Sequence, residues 1–85
     1  MTIPTDAEPL VARARDDLAR RTGLPADQIV VVRVEAVEWR DASLGLPEPD
    51  RMYAQVITPG WRIVLLAGQR LAEYHTDHRR VVPAD

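Results

Sequence analysis

An α+β domain, with one N-terminal amphipathic helix packed on a three- to four-stranded antiparallel sheet, is the fold the sequence predicts, and three observations carry that expectation. Apolar residues recur every three or four positions between Ala7 and Thr22. The run IVVVRVEAVEWR at 29–40 is β-branched and alternating. Beyond it, short β-rich segments are set apart by the turn-prone pairs Pro59-Gly60 and Gly68-Gln69. A helical period followed by period-two segments without crossover helices is the pattern of a helix layered on a meander.

The helix is expected to open at TDAE, residues 5–8, where Thr5 and Glu8 match a capping box. Ala7, Val11, Ala14, Leu18 and Thr22 form its packing stripe with Leu10 beside them, while Arg13, Asp16, Asp17, Arg20 and Arg21 form the wet side. Gly23 supplies a left-handed stop, and LPADQ at 24–28 reads as a single-turn connector. In the strand that follows, Val30, Val32, Val34 and Ala36 are predicted to face inward, with a bulge at Ala36-Val37 keeping Trp39 on the same side. MYAQVIT at 52–58 reads as a second strand, Pro59-Gly60 as a turn, WRIVLLA at 61–67 and RLAEYHT at 70–76 as a hairpin, and RRVVP at 79–83 as a short edge strand ended by Pro83.

The chain has 85 residues, enough for one domain with one small core, residues 1–85 as a unit. On the usual per-residue scale its stability is about 4 to 9 kcal/mol. Hydrophobic residues make up 46% and charged residues 28%, which separates it from disordered chains. A net charge of -2 argues against nucleic acid or an anionic membrane as partner, since those binders concentrate excess cation on one face. The cations are eleven Arg and no Lys. Without Cys there is no disulfide, thiolate zinc site or thiol nucleophile. MTIPTDAEPL has neither the basic nor the apolar region of an export signal, and no apolar run is long enough to span a bilayer, so a cytoplasmic home is expected.

DASLGLPEPD at 41–50 is the most unusual stretch. Leu44 and Leu46 left in water would each forfeit about 2 kcal/mol of burial, so both are expected to point inward. Asp41 and Ser43 are suited to bond local amides, and Pro47 and Pro49 to stiffen the return, giving a rigid Ω-type loop.

VEWRDASLGLPEPDRMYAQVITPGWRIVL, followed by AEYHTD at 72–77, resembles a family of small uncharacterised bacterial domains, often found in exported or lipid-anchored proteins. Their core runs W-x-D-x-S-L-G-C-P-x-P-G, then Y-x-Q-V-I-T-P-G-Y-R-I, then Y-E-Y-H-T. The likeness spans about residues 12 to 82 and is specific over 39–76. The family's Cys stands as Leu46 here, and a second Cys is absent near Val82-Pro83. The resemblance implies that exported relatives tie the loop to the last strand by a disulfide, and that this chain substitutes a packed leucine. It implies no activity.

Chemistry-bearing residues are sparse. His75 and His78 flank Asp77, imidazoles and a carboxylate suited to zinc or nickel, but residues three apart on a strand face opposite ways, so no metal or other cofactor is expected. Ser43, His75 and Asp77 would supply a nucleophile, base and orienting acid for a small hydrolase-like or metal-dependent enzyme, yet no nucleophile elbow or oxyanion segment accompanies them. Asp16-Asp17 and Glu48 with Asp50 are carboxylate pairs in solvated settings. The leading expectation is therefore a non-enzymatic binding module for another protein or peptide, using Glu48, Asp50 and Arg51 at the loop tip beside Tyr53 and Trp61. Two readings stand beside it: the enzyme built on His75 and Asp77, and a structural accessory domain that dimerises through a sheet edge, the chain being a monomer or weak homodimer.

Overall fold

The structure, a computed structural model, describes residues 2–84. One helix, α1 (Glu8–Thr22), packs on a four-stranded antiparallel sheet of β1 (Ile29–Trp39), β2 (Thr58–Ala67), β3 (Arg70–Thr76) and β4 (Val81–Pro83), in spatial order β1-β2-β3-β4. This is the α+β layering that the periodicity predicts.

The helix begins differently from the expected capping box. A 3-10 turn over Thr5–Ala7 precedes it, the Ala7 and Glu8 amides donate to the Pro4 carbonyl, and no side chain caps it. Pro9 in the first turn costs no hydrogen bond, which is why the sequence enters the helix there. Gly23 ends it as expected, at φ 78°, with its amide on the Ala19 carbonyl. A second 3-10 turn, Ala26–Gln28, delivers the chain to β1.

Ala7, Leu10, Val11, Ala14 and Leu18 are buried against Ile29, Ile63, Leu65, Ala67 and Tyr74, as the helical stripe requires. The α1 helix lies mainly over β2, β3 and β4. Tyr74 is fully buried, and its hydroxyl donates to Asp17 Oδ2 at 2.7 Å and accepts from Arg21 at 3.2 Å, joining β3 to the last helical turn. Burial and the bond to Asp17 push the phenol from its ordinary 10.0 up to about 12. The neutral phenol is therefore favoured by the fold. Its contribution is complete below about pH 10 and is lost as pH rises through about 12. We expect phenolate absorbance to show one tyrosine that ionises near pH 12, and Tyr74→Phe to lose less melting temperature than wild type between pH 10 and 12. Equal losses would place Tyr74 outside the packed layer.

Three expectations are corrected in the sheet. First, β1 turns its faces over: Ile29 and Val31 point toward the helix, Val30 and Val32 are 54% and 44% exposed, and the register slips between Val31 and Arg33. The bulge thus falls at Val32, not at Ala36-Val37. Pairing is regular from Arg33 to Trp39, so alternation carries Trp39 to the face opposite the helix. Second, Pro59-Gly60 is no turn. Both residues lie inside β2, opposite Glu38 and Val37. Proline is tolerated there because pairing with β3 begins only at Trp61, so Pro59 has no neighbour on that side awaiting its amide. Third, residues 52–57 are not a strand; β2 starts at Thr58, and residues 40–57 form one long connection between β1 and β2. The β2–β3 hairpin turns at Gly68 (φ 65°) and Gln69, as expected. The turn into β4 is held by Asp77, which accepts from the Arg79 and Arg80 amides and the Arg80 guanidinium. Partial burial opposes this, yet these bonds hold the Asp77 carboxyl below its usual range.

Candidate functional site

On the sheet face away from the helix, the connection 40–57 folds back and is fastened to β3. Trp39 leaves the end of β1, crosses over Gly60 of β2, donates its indole N–H to the Thr76 carbonyl at 2.8 Å and stacks on His75, ring centres 4.4 Å apart. His75 is buried, with Nδ1 2.7 Å from the Leu44 carbonyl and Nε2 2.5 Å from Glu73. Arg62 lies between Glu73 and Glu35, at 3.4 and 3.2 Å, and continues the polar row across the sheet to β1. Gly45 passes so close to the Trp39 ring that a Cβ there would lie 3.3 Å from it.

The loop's own sequence shapes this fastening. Asp41 Oδ1 accepts from the Ser43 amide at 2.9 Å and the Ser43 hydroxyl at 2.5 Å, an Asx-type turn. Those two bonds, hydroxyl first, hold the Asp41 carboxyl below its usual range. The turn drives Leu44 to φ 58° and Gly45 to φ 77° and aims the leucine side chain into full burial. A left-handed leucine costs about 1 to 2 kcal/mol, which burial of the same side chain offsets. Leu46 is only half-buried, so the expected anchoring by both leucines falls mainly to Leu44. Arg80 donates to the Ala42 carbonyl and the Ala42 amide donates to the Ala54 carbonyl, fixing both limbs of the loop.

Beyond this fastening the tip stands in solvent. Glu48, Asp50 and Arg51 are exposed and Tyr53 is half-buried. Arg51 lies 3.7 Å from Glu48 and 5.4 Å above the Tyr53 ring centre, and the Tyr53 hydroxyl accepts from the Glu48 amide at 3.1 Å. Glu48, Arg51 and Tyr53 thus contact one another, while Asp50 is exposed and pairs with none of them among the described residues. Trp61 does not join them. It points to the helix face, where it lines an open groove of about 490 Å³ with Pro9, Leu10, Pro59 and His78. Missed by the sequence reading are Met52, Val56 and Ile57, which are 98%, 57% and 64% exposed in the descending limb. Their β-propensity suggested a strand. The signal against one was Pro47 and Pro49 just before it, which leave no partner limb to pair with.

Ser43, His75 and Asp77 do not assemble into a relay: Ser43 bonds Asp41, His75 faces Leu44 and Glu73, and Asp77 holds the β3–β4 turn. His75 and His78 are separated by the sheet, the first buried on the open face and the second exposed beside the helix-face groove. Among the described residues no group of three or more His, Asp or Glu is placed to hold a metal ion. No helix among them is long and apolar enough to cross a membrane.

The fold and the fastened loop define a small single-layer sheet covered on one side by a helix and on the other, in part, by its own β1–β2 connection. Residues 11–83 match a domain of unknown function, DUF8738, and the chain belongs to that family. No curated protein and no solved structure matches it.

Proposed function

We propose that the protein is a binding module that acts without catalysis, and that its contact surface is the tip and descending limb of the 40–57 connection. The observation that carries this reading is the pairing of a fastened base with exposed apolar residues in the descending limb. Leu44, Trp39 and His75 hold the loop, while Met52, Val56 and Ile57 are exposed in its descending limb, which also carries Arg51 and Tyr53. Apolar side chains flanked by an Arg and an aromatic have the composition of an interface centre, and a loop already fixed loses little entropy when a partner docks. The partner is another protein or a peptide, supported by the net charge of -2, which disfavours nucleic acid and anionic lipid. The cysteine-free sequence fits a reducing compartment, and the reading places the module in the cytoplasm.

The test is affinity capture from extract of the native host, followed by titration of the captured partner, with wild type and with Met52→Asp/Ile57→Asp. Both substituted residues are exposed, so the melting temperature should stay nearly unchanged. Affinity should fall at least about tenfold, or about 1.4 kcal/mol. Equal affinity of the two proteins would assign recognition to another surface.

A further inference from the structure

The most apolar strand of the sequence is among the least covered in the fold. In β1, only Ile29 and Trp39 are buried, while Val30, Val32 and Ala36 are exposed and Val31, Val34 and Val37 are half-covered. It is also an edge strand, paired with β2 on one side and with no strand on the other. The opposite edge, β4, has three residues and ends at Pro83, so it is blunted where β1 is not. Natural edges are guarded by Lys, Pro or brevity. Between residues 29 and 39 there is no Lys or Pro, and the guards present are the bulge at Val32 and the charges of Arg33, Glu35 and Glu38.

We infer that two copies of this chain pair antiparallel through β1, about a two-fold axis at Val34, to form one continuous eight-stranded sheet. Charge selects a second copy over a strand of unrelated sequence. Arg33 and Glu35 lie two apart, on the sheet face away from the helix, opposite Val64 and Arg62. Arg33 is exposed and makes no ion pair among the described residues, whereas Glu35 contacts Arg62 through one oxygen at 3.2 Å. In a two-fold pair centred on Val34, each Arg33 lies directly across from Glu35 of the second copy, so the strand read backwards supplies its own complement. An unrelated strand would have to bring both charges in that order. The axis also sets Val34 against Val34 of the second copy and keeps both helices on one side of the joined sheet. The Val32 bulge interrupts the ladder, limiting regular pairing to about Val32–Ala36 and making the association weak and reversible.

Sedimentation equilibrium over a concentration series tests this with the intact chain. Wild type should pass from monomer to dimer in the high-micromolar range. Arg33→Glu and Glu35→Arg should each weaken association at least about tenfold, because each sets like charges across the axis. An equimolar mixture of the two variants should recover association close to wild type, since every mixed pair then faces opposite charges. A wild type that stays monomeric to about 1 mM would overturn the inference. So would variants that associate as tightly as wild type, or a mixture that fails to recover. Should Glu35→Arg disturb Arg62 enough to unfold, Arg33→Glu keeps the test decisive, since the Arg33 side chain holds no ion pair among the described residues.

Discussion

Gly60→Ala is expected to remove at least about 4 kcal/mol of stability, enough to leave much of the population unfolded, since a small domain has only about 4 to 9 kcal/mol in total. A Cβ at position 60 would lie 1.7 Å from the Thr76 carbonyl oxygen and 2.9 Å from Trp39 Nε1. The first atom belongs to the backbone of β3 and the second to a ring pinned by its own hydrogen bond, so neither can move without opening the sheet. Gly60 is required for space, not for an unusual backbone angle. Gly68→Ala makes the contrast: nothing lies within 4 Å of its Cβ, and only the φ of 65° resists, at about 1 to 2 kcal/mol. Guanidinium unfolding of both variants checks the claim. If their midpoints coincide, β2 and β3 do not approach as closely at Gly60 as described.

Trp39→Ala should cost about 3 to 5 kcal/mol, the range for emptying a buried aromatic site. The loss combines the stacking on His75, the cover over Gly45 and the indole bond to the Thr76 carbonyl. Trp61 remains as a fluorescence probe, so unfolding can be followed in both proteins. Trp39→Phe separates the contributions. It keeps a ring on the imidazole but leaves the carbonyl without its donor, and should cost about 1 to 3 kcal/mol. A Trp39→Ala protein within about 1 kcal/mol of wild type would mean that the loop is not fastened through this residue.

Although a 3-10 turn on the Pro4 carbonyl replaces the capping box expected at Thr5 and Glu8, the helix was legible because its 3.6-residue stripe and terminal Gly23 act within a few positions of one another. The β2–β3 turn was legible for the same reason. What escaped was set by distant partners. Pro59-Gly60 looks like a turn in isolation, and only the Thr76 backbone and Trp39 ring explain why glycine is needed inside a strand. The four valines at 30, 31, 32 and 34 gave no means of telling which one bulges, and that choice decides the face on which Trp39 emerges. At the tip, the contacts among Glu48, Arg51 and Tyr53 were legible since these residues lie within a few positions of one another. Trp61 was misplaced because alternation along β2, fixed by its pairing with Thr76, turns it toward the helix.

The fastening of the loop to β3 also sets an order of events in folding. The β2–β3 hairpin closes across two residues, while β1 must reach β2 over the connection 40–57, a closure whose entropy cost grows with the logarithm of its length. Trp39 and Leu44 then meet His75 across sequence separations of 36 and 31 residues, taken from their numbering. These contacts need the connection closed as well as the hairpin, so they are expected to form after the hairpin. We expect this side of the sheet to be still bare in the transition state for folding. Substitution of Trp39 should act almost wholly by hastening unfolding, with the folding rate little altered. On that expectation the stack of indole on imidazole acts as a latch on the lifetime of the native chain, and a loop serving as the proposed contact surface would depend on that lifetime as much as on equilibrium stability.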